Sequence, residues 1–404
     1  MSFSQQIGNV FAKAFGLSLL ERKRLNWVDY LRGIVVILVV YHHARVGIER
    51  SGVEVPDFLI TANIVFYSFR IPLFFFVSGI FFAVTLNKLS TSKFVTIKFE
   101  NLLYPYFVWT FIQITAQIFL SKYTNSNRTV SDYLYIFYQP RMLDQFYYLP
   151  ALFNVTMVCL IIKKYIKPNA IVHLLIAGVF YMVAHQFERI SIIADWMIFY
   201  MFFAIGDVLS NYFFRTSFQN IFSKLRSFLI VLPIFAAVQY VYLKLDIGQS
   251  VISNADGSAA PVLSPIELFF DKIIFLGIVL VGCFTVMTLS FQLQKWKVLS
   301  YLRVIGYHSL HIYVMHVLII GFVRMVMKNF LNIYDPIALL VGCIVVGVIA
   351  PIVFYNLVVR TSWGWFLFHF RRPATETTTT TSQPKQAAST ESNISLKPLK
   401  NIAR

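Results

Sequence analysis

Long apolar runs separated by short polar segments fill most of the chain. Ten of these runs approach the length that a helix needs to cross a bilayer, about 20 residues for a hydrocarbon core about 30 Å thick. We place them at residues 27–46, 58–86, 102–120, 146–162, 170–184, 196–214, 228–243, 266–289, 305–326 and 337–359. The second run is long for one straight helix and contains Pro72, so we expect it to be tilted or broken there.

The composition indicates a membrane protein rather than a soluble one. The 404 residues are 58% hydrophobic and only 13% charged, and the mean hydropathy is +0.67. A soluble domain cannot accommodate that much apolar surface, whereas helices that face lipid require it. We therefore predict an all-α, polytopic integral membrane protein with about ten transmembrane helices.

The formal net charge of +17 does not indicate a nucleic-acid partner, because the basic residues cluster in short connections and at the two ends. Loops on the same side of the membrane as the N-terminus carry more Lys and Arg residues than loops on the other side. By the positive-inside rule, the lysine- and arginine-rich side is cytoplasmic and the other side is external. Both termini are then cytoplasmic, and residues 120–145 and 245–265 form the largest external loops. The basic residues behind this bias are Arg22, Lys23, Arg24, Lys88, Lys93, Lys98, Lys163, Lys164, Lys167, Arg215, Lys224, Arg226, Lys295, Lys297 and Arg303.

The two ends of the chain differ in composition from the membrane part. The predicted divisions are residues 1–25, 26–360 and 361–404. The first is a cytoplasmic amphipathic segment without a cleavable signal peptide, since apolar positions at helical spacing precede a basic end. The last begins with an interfacial segment, where Trp363 and Trp365 with His369 form a belt. It continues into a Thr- and Ser-rich cytoplasmic tail that we predict to be disordered.

The three cysteines, Cys159, Cys283 and Cys343, all lie within apolar runs. An odd number, with none in the connections, gives neither a disulfide framework nor a metal-ligand spacing. We predict packing roles for all three and no bound metal.

The first run carries charged and titratable residues, which are costly inside a membrane and usually mark a functional pathway. On one helix, Arg32 and His43 lie within about 20° of the same face and about 16 Å apart along the axis. His42 lies about 80° off that face, so the two histidines are not equivalent. Asp29 is one turn before Arg32 and can pair with it. The alternative is a snorkelling arginine and a histidine that only packs between helices.

Further polar residues lie in later apolar runs. Arg70 in the second run needs a partner in mid-membrane, for which Asp207 in the sixth run is one candidate, and Ser78-Gly79 lies deeper. The ninth run carries a polar stripe on one helical face. Its members are Ser309, Tyr313 and His316. His308 and His311 lie near the predicted cytoplasmic end, where they either face water or meet a phosphate.

This ordered set of motifs resembles the integral-membrane acyltransferase-3 family, whose members move acetyl or other acyl groups onto surface sugars and glycans. The resemblance covers about residues 25–360. The matching residues are Asp29, Arg32, Gly33 and His43 in the first run, Phe74 to Gly79 in the second, Tyr148-Leu149 in the fourth, and Gly306, Ser309, Leu310, Tyr313 and His316 in the ninth. One motif departs from the family pattern: a pair of arginines before a proline is here Lys98, Asn101 and Pro105.

The resemblance implies an acyl-CoA donor, usually acetyl-CoA, and a hydroxyl acceptor on a glycan or lipid-linked saccharide. Histidine can act as a general base or as an acyl carrier, and we assign His43 to one of these roles. The expected catalytic residues are Arg32, His43, Arg70 and His316. The expected donor-binding residues are Arg32, Arg70, Ser78 and Tyr313. The expected location is the bacterial inner membrane, with lipids as the other partners.

Two readings from other classes stay open on the sequence alone. A secondary transporter or flippase could use Arg32, His43 and Arg70 as a substrate or proton path. The chain shows no internal repeat, which counts against the common transporter folds. The other reading is a non-catalytic membrane scaffold, in which the polar residues hold helices together.

Overall fold

The computed structural model describes residues 12–21, 26–121, 128–245, 247–248 and 263–371. This part of the chain is 84% helical and contains no strand. Ten of its helices are long and apolar enough to cross a membrane. They are α1 Asn26–Arg50, α2 Asp57–Leu86, α3 Thr91–Phe119, α4 Pro140–Ile166, α5 Ala170–Phe187, α6 Ser191–Phe213, α7 Leu225–Lys244, α8 Pro265–Trp296, α9 Ser309–Asn329 and α10 Pro336–Val358. The predicted all-α class with ten spans is confirmed.

Two predicted spans differ in detail from the helices. The second does not break at Pro72, because α2 continues as one helix from Asp57 to Leu86. Pro72 and most of the residues around it are buried against other helices, which hold a proline-containing segment in place within an apolar bundle. The ninth begins later than expected, since a separate short helix, Tyr301–Tyr307, ends before α9 starts at Ser309.

The described N-terminal residues pack back onto this short helix and α10. The chain turns at Gly16, whose φ is 67°, and enters the short helix Leu17–Glu21. The carbonyl of Leu20 accepts a hydrogen bond from Arg303 at 3.3 Å, and the carbonyl of Ala14 accepts one from Asn356 at 3.0 Å. The predictions for residues 1–11 and for the tail from residue 372 lie outside the described residues.

Glycines allow the two closest helix crossings. A β-carbon on Gly79 of α2 would overlap the carbonyl of Phe203, and one on Gly206 of α6 would overlap the carbonyl of Phe76. Gly33 of α1 and Gly306 of the short helix Tyr301–Tyr307 form a second such crossing. Small residues let helix backbones approach closely in a membrane, where apolar side chains gain little by leaving lipid. These four motif glycines are therefore packing residues.

The buried core has two parts that meet at α1. One joins α2, α4, α6 and α8, and reaches α1 through Leu31, Val35 and Val39. The other lies between α1, α9 and α10, and includes Val36 and Val40. Opposite faces of α1 thus contact different halves of the bundle, which places its polar residues between them.

Candidate active site

The structure brings His43 of α1 next to His316 of α9. Their ring centres are 5.0 Å apart, and the ring of the preceding residue, His42, is 4.9 Å from that of His43. His316 is fully buried, whereas His42 and His43 are partly buried. The contact of His43 with His316 could not be derived from spacing within one helix, because it depends on how α1 and α9 pack.

Hydrogen bonds fix the tautomer of His316. Its Nδ1 lies 2.8 Å from the carbonyl oxygen of Tyr313 and 3.1 Å from that of Ile312. A carbonyl only accepts, so Nδ1 carries the proton and Nε2 carries the lone pair. Within the described part of the chain, Nε2 is buried without a hydrogen-bond partner. A buried acceptor of this kind is costly unless it has a role.

Aromatic residues form one wall of the histidine site. The ring of Tyr313 is 6.1 Å from that of His316, and the ring of Tyr148 at the start of the regular part of α4 is 5.4 Å from Tyr313. Tyr148 also packs on Phe74 and Phe75 of α2. The motifs of the second, fourth and ninth runs thus meet at one place.

Arg70 joins the site through Asn63, a residue that the sequence analysis missed. The side-chain oxygen of Asn63 accepts a hydrogen bond from Arg70 at 3.1 Å and lies 3.0 Å from Nδ1 of His42. The guanidinium of Arg70 also lies over the ring of Tyr67, 4.7 Å from its centre. Asn63 is two turns before Arg70 on one face of α2, which was the only available signal.

Arg32 and Ser78 lie farther along their helices from this cluster. Because α1 is one continuous helix, Arg32 is about 16 Å from His43 along the axis. Its turn packs against the short helix Tyr301–Tyr307, since the neighbouring Gly33 abuts the carbonyl of Leu302. Ser78 is about 12 Å along α2 from Arg70 and is partly buried.

Asp207 belongs to a second cluster, which we call the inner cluster: Lys163, Asp207, His173, Tyr200 and Cys159. Nζ of Lys163 lies 2.6 Å from a carboxylate oxygen of Asp207, and Nδ1 of His173 lies 3.4 Å from the same oxygen. The ion pair is made possible by a π-helical turn, Ile162–Ile166, that ends α4. Asp207, considered above as a partner for Arg70, thus has Lys163 as its cationic neighbour.

The inner cluster gives Cys159 polar neighbours in addition to the packing role predicted for it. Sγ of Cys159 is 4.0 Å from Nε2 of His173, and the hydroxyl of Tyr200 is 2.9 Å from the same nitrogen. The ligand atoms of Cys159, His173 and Asp207 lie within 4.8 Å of one another, close enough to hold a metal ion. They come from three helices, so no linear spacing could reveal them. Lys163 already balances the carboxylate, which disfavours a second cation there.

The two histidines near the start of the ninth run, His308 and His311, pack against neighbouring groups of the bundle. His308 is fully buried, with Nδ1 2.9 Å from the carbonyl of Val304. His311 stacks on Tyr355 at 3.5 Å, whose hydroxyl is 3.2 Å from His369. Burial lowers the pKa of His369 below its usual value. The expectation of a water-facing position is therefore wrong for His308, whereas His311 is half-buried against Tyr355.

A polytopic helical bundle with an arginine and histidines buried at helix contacts defines an integral membrane protein with an internal polar site. The family model of an acyltransferase domain matches residues 25–356. No match is found among the curated proteins or the solved structures. The chain belongs to the acyltransferase-3 family, and it is a membrane acyltransferase. This membership favours acyl transfer over the transporter and scaffold readings.

Proposed function

We propose that the protein is an O-acyltransferase that moves an acetyl group from cytosolic acetyl-CoA to a hydroxyl of a cell-surface or lipid-linked sugar. The observation that carries the proposal is the contact of His43 with His316, whose ring centres are 5.0 Å apart inside the bundle. Acyl transfer to a hydroxyl needs a base where the proton leaves, and an imidazole matches that task near neutral pH.

In the proposed reaction, His43 takes the proton of the acceptor hydroxyl while the oxygen attacks the thioester carbonyl. The C–S bond then breaks, and the CoA thiolate takes the proton back from the imidazolium. The products are the sugar ester and free CoA, and both histidines end neutral. The lone pair on Nε2 of His316 stabilises the transient imidazolium by accepting its N–H, a role that its fixed tautomer supports.

The donor enters along α1 in this proposal. The CoA nucleotide carries several negative charges and is held at the basic cytoplasmic rim near Arg32. Its thin pantetheine arm spans the distance from Arg32 to His43, which is about half the thickness of the hydrocarbon core. Arg70 then lies near the carbonyl on which negative charge develops, where a fixed cation stabilises the transition state. Ser78 and Tyr313 line the same passage.

This path requires both termini in the cytoplasm of a bacterial inner membrane. Reporter fusions after Asn127 and Ser253 should then report the external side, and fusions after Lys164, Lys295 and Thr378 should report the cytoplasm. The charge distribution supports this orientation. A cytoplasmic signal after Asn127 would reverse it and move His43 to the wrong end of α1 relative to the donor.

Transfer can be tested directly with the purified protein in lipid nanodiscs. Radiolabelled acetyl-CoA is supplied together with methyl glycosides of glucose, galactose and mannose, and alkali-labile label is measured in the sugar fraction. In cells, mass and linkage analysis of surface glycans with and without the gene identifies the acylated position. Absence of transferred label in the first experiment together with unchanged surface glycans in the second would contradict the proposal, as would label that reaches sugar equally with the His43→Ala variant.

A further inference from the structure

A cavity of about 50 Å³ lies between α2, α4, α6 and α8, next to the histidine site. That is several times the space that one water molecule requires. Its walls are largely apolar, and its polar lining comes mainly from Tyr67, Arg141, Asp144 and Tyr147. Apolar walls with a few convergent polar groups are typical of small-molecule sites.

Asp144 is the centre of a polar network between α3 and α4. Its Oδ2 accepts hydrogen bonds from Gln113 at 3.2 Å and Gln117 at 3.4 Å, and from Arg128 at 3.4 Å. All three donors bind this one oxygen, and none of them binds Oδ1. Gln145 in turn donates to Gln113 at 2.8 Å. The network holds the carboxylate in one orientation beside the cavity.

The backbone of Asp144 supports a role beyond structure. Its φ of 58° and ψ of −115° form a conformation that glycine adopts easily and other residues adopt at a cost of about 1–3 kcal/mol. A glycine would relieve this strain but would remove the carboxylate. Strained residues of this kind cluster at ligand sites, where the surrounding contacts maintain them.

Arg141 supplies donors to the same cavity. Its Nε and one terminal nitrogen bind Oδ1 of Asp195 at 2.6 and 2.5 Å, and Asp195 is fully buried. The guanidinium has five N–H donors, so this ion pair orients it and leaves others for a ligand. A carboxylate acceptor and a guanidinium donor therefore line one small cavity.

Two tyrosines connect the cavity to the catalytic histidines. Tyr67 lies under Arg70, and its ring centre is 6.2 Å from that of His42. Tyr147 immediately precedes Tyr148, which packs on Tyr313 beside His316. Tyr67 and His42 thus link the cavity to His43, the group that we propose takes the proton.

We propose that this cavity binds the acceptor sugar, with Asp144 and Arg141 bonding its hydroxyls and the tyrosine rings covering its apolar C–H face. The inference rests on the proposed function and adds the place and the groups of acceptor recognition. Sugars present adjacent hydroxyls that both donate and accept, which matches a carboxylate beside a guanidinium. The acyl chain of a donor would instead desolvate both charges without replacing their hydrogen bonds.

The test measures sugar binding apart from catalysis. Saturation-transfer NMR with methyl glycosides of glucose, galactose and mannose is carried out on the protein in nanodiscs. We expect Asp144→Asn to weaken binding at least about ten-fold, since asparagine has the same shape as aspartate but loses the charge that strengthens the bonds. The matched control is Asp132→Asn, which removes a carboxylate 3.9 Å from the same Arg128 but outside the cavity lining, and it should change binding less than about two-fold.

Two further measurements assign the cavity to the acceptor. Acetyl-CoA affinity by calorimetry should be unchanged in Asp144→Asn, and Tyr147→Leu should weaken glycoside binding in the same way even if Asp144→Asn does not fold. Absence of glycoside binding to the wild type, or equal binding by Asp144→Asn, would overturn the inference. A changed preference between acetyl- and hexanoyl-CoA in these variants would also overturn it, because the cavity would then hold the donor chain.

The failures of the two proposals are distinguishable. If the wild type binds glycosides through Asp144 but transfers no label from acetyl-CoA, the sugar site stands and the proposed reaction is wrong. If label is transferred and the Asp144→Asn variant keeps the wild-type dependence on glycoside concentration, the reaction stands and the cavity is not the acceptor site.

Discussion

The inner cluster and the histidine site use similar residues in different ways. In the inner cluster, Lys163 neutralises the buried carboxylate of Asp207 at 2.6 Å. At the histidine site, Arg70 binds a neutral amide and lies over an aromatic ring, and His316 keeps a lone pair without a hydrogen bond among the described residues. Opposite charges in contact stabilise each other, whereas an acceptor nitrogen that has no hydrogen bond among the described residues keeps its capacity to interact with a substrate.

The difference also shows why burial alone does not identify catalytic residues in a membrane protein. Asp207 and His316 are both buried, yet their nearest partners give them different chemistry. Asp207 has a lysine in direct contact, whereas His316 has one nitrogen committed to carbonyls and the other without a hydrogen bond among the described residues. We therefore propose a structural role for the inner cluster and a chemical role for the histidine site.

The largest effect that separates the two clusters should come from removing their histidines. His43→Ala should lower acetyl transfer by on the order of 10³-fold, because a general base contributes 10²–10⁴-fold. The matched control, His173→Ala, removes a buried histidine from the inner cluster and should leave the turnover of folded protein within several-fold. Both are measured with radiolabelled acetyl-CoA after size exclusion confirms folding. Retained acetyl transfer in His43→Ala would show that His43 is not the base and would contradict the proposed difference between the two clusters.

The free energy of unfolding should depend on the inner cluster, in contrast to acetyl transfer, which should depend on the histidine site. Lys163→Ala leaves the buried carboxylate of Asp207 without its cation, and breaking a buried pair in this way costs about 3–5 kcal/mol. We expect about 2–3 kcal/mol, since the side chain of Lys163 is 33% exposed and water screens part of the interaction. The double variant Lys163→Met/Asp207→Leu should recover most of the loss. Thermal unfolding in detergent measures this, and a single variant as stable as the wild type would show that the pair carries no stability.

Donor affinity should distinguish Arg32 from both clusters. Arg32→Ala should weaken binding of a non-hydrolysable acetyl-CoA analogue about ten-fold by calorimetry, whereas His43→Ala should leave it nearly intact. Lysine at position 32 should restore part of the affinity, because it keeps the charge but loses the planar fork. The control is Lys93→Ala, which removes a positive charge from an exposed side chain. Equal affinity in Arg32→Ala and wild type would place the donor elsewhere.

The fold was predictable because a bilayer dictates the length and polarity of each helix. The ten apolar runs correspond to ten helices. One difference lies inside the second run, where packing by neighbouring helices maintains a continuous α2 through Pro72. The start of the ninth run also misled, since the break at His308 has no strong local signal such as a proline.

The sequence indicated single members of the histidine site but not their contacts. Phase along α1 favoured His43, which stays a prediction as the base, and motif order pointed to His316 on another helix. Asn63, the inner cluster and the network around Asp144 escaped, because each joins residues from different helices whose contact is set by packing. The backbone of Asp144 was also hard to predict, because a positive φ is usual for glycine and uncommon for other residues.

The smallest predicted effect sharpens the role of His42. Asn63 contacts both His42 and Arg70, so His42→Ala and Asn63→Ala should each loosen Arg70 and lower turnover only about three- to ten-fold. If both act through the orientation of Arg70, the double variant should be no slower than the worse single one, because residues on one path are not additive. Turnover at saturating acetyl-CoA measures this, with Asn356→Ala as the control, since Asn356 is a partly buried amide that contacts His308 rather than Arg70 or His42. Multiplicative losses would instead mean that His42 contacts the reactants itself, and His43 would no longer be the sole base on α1.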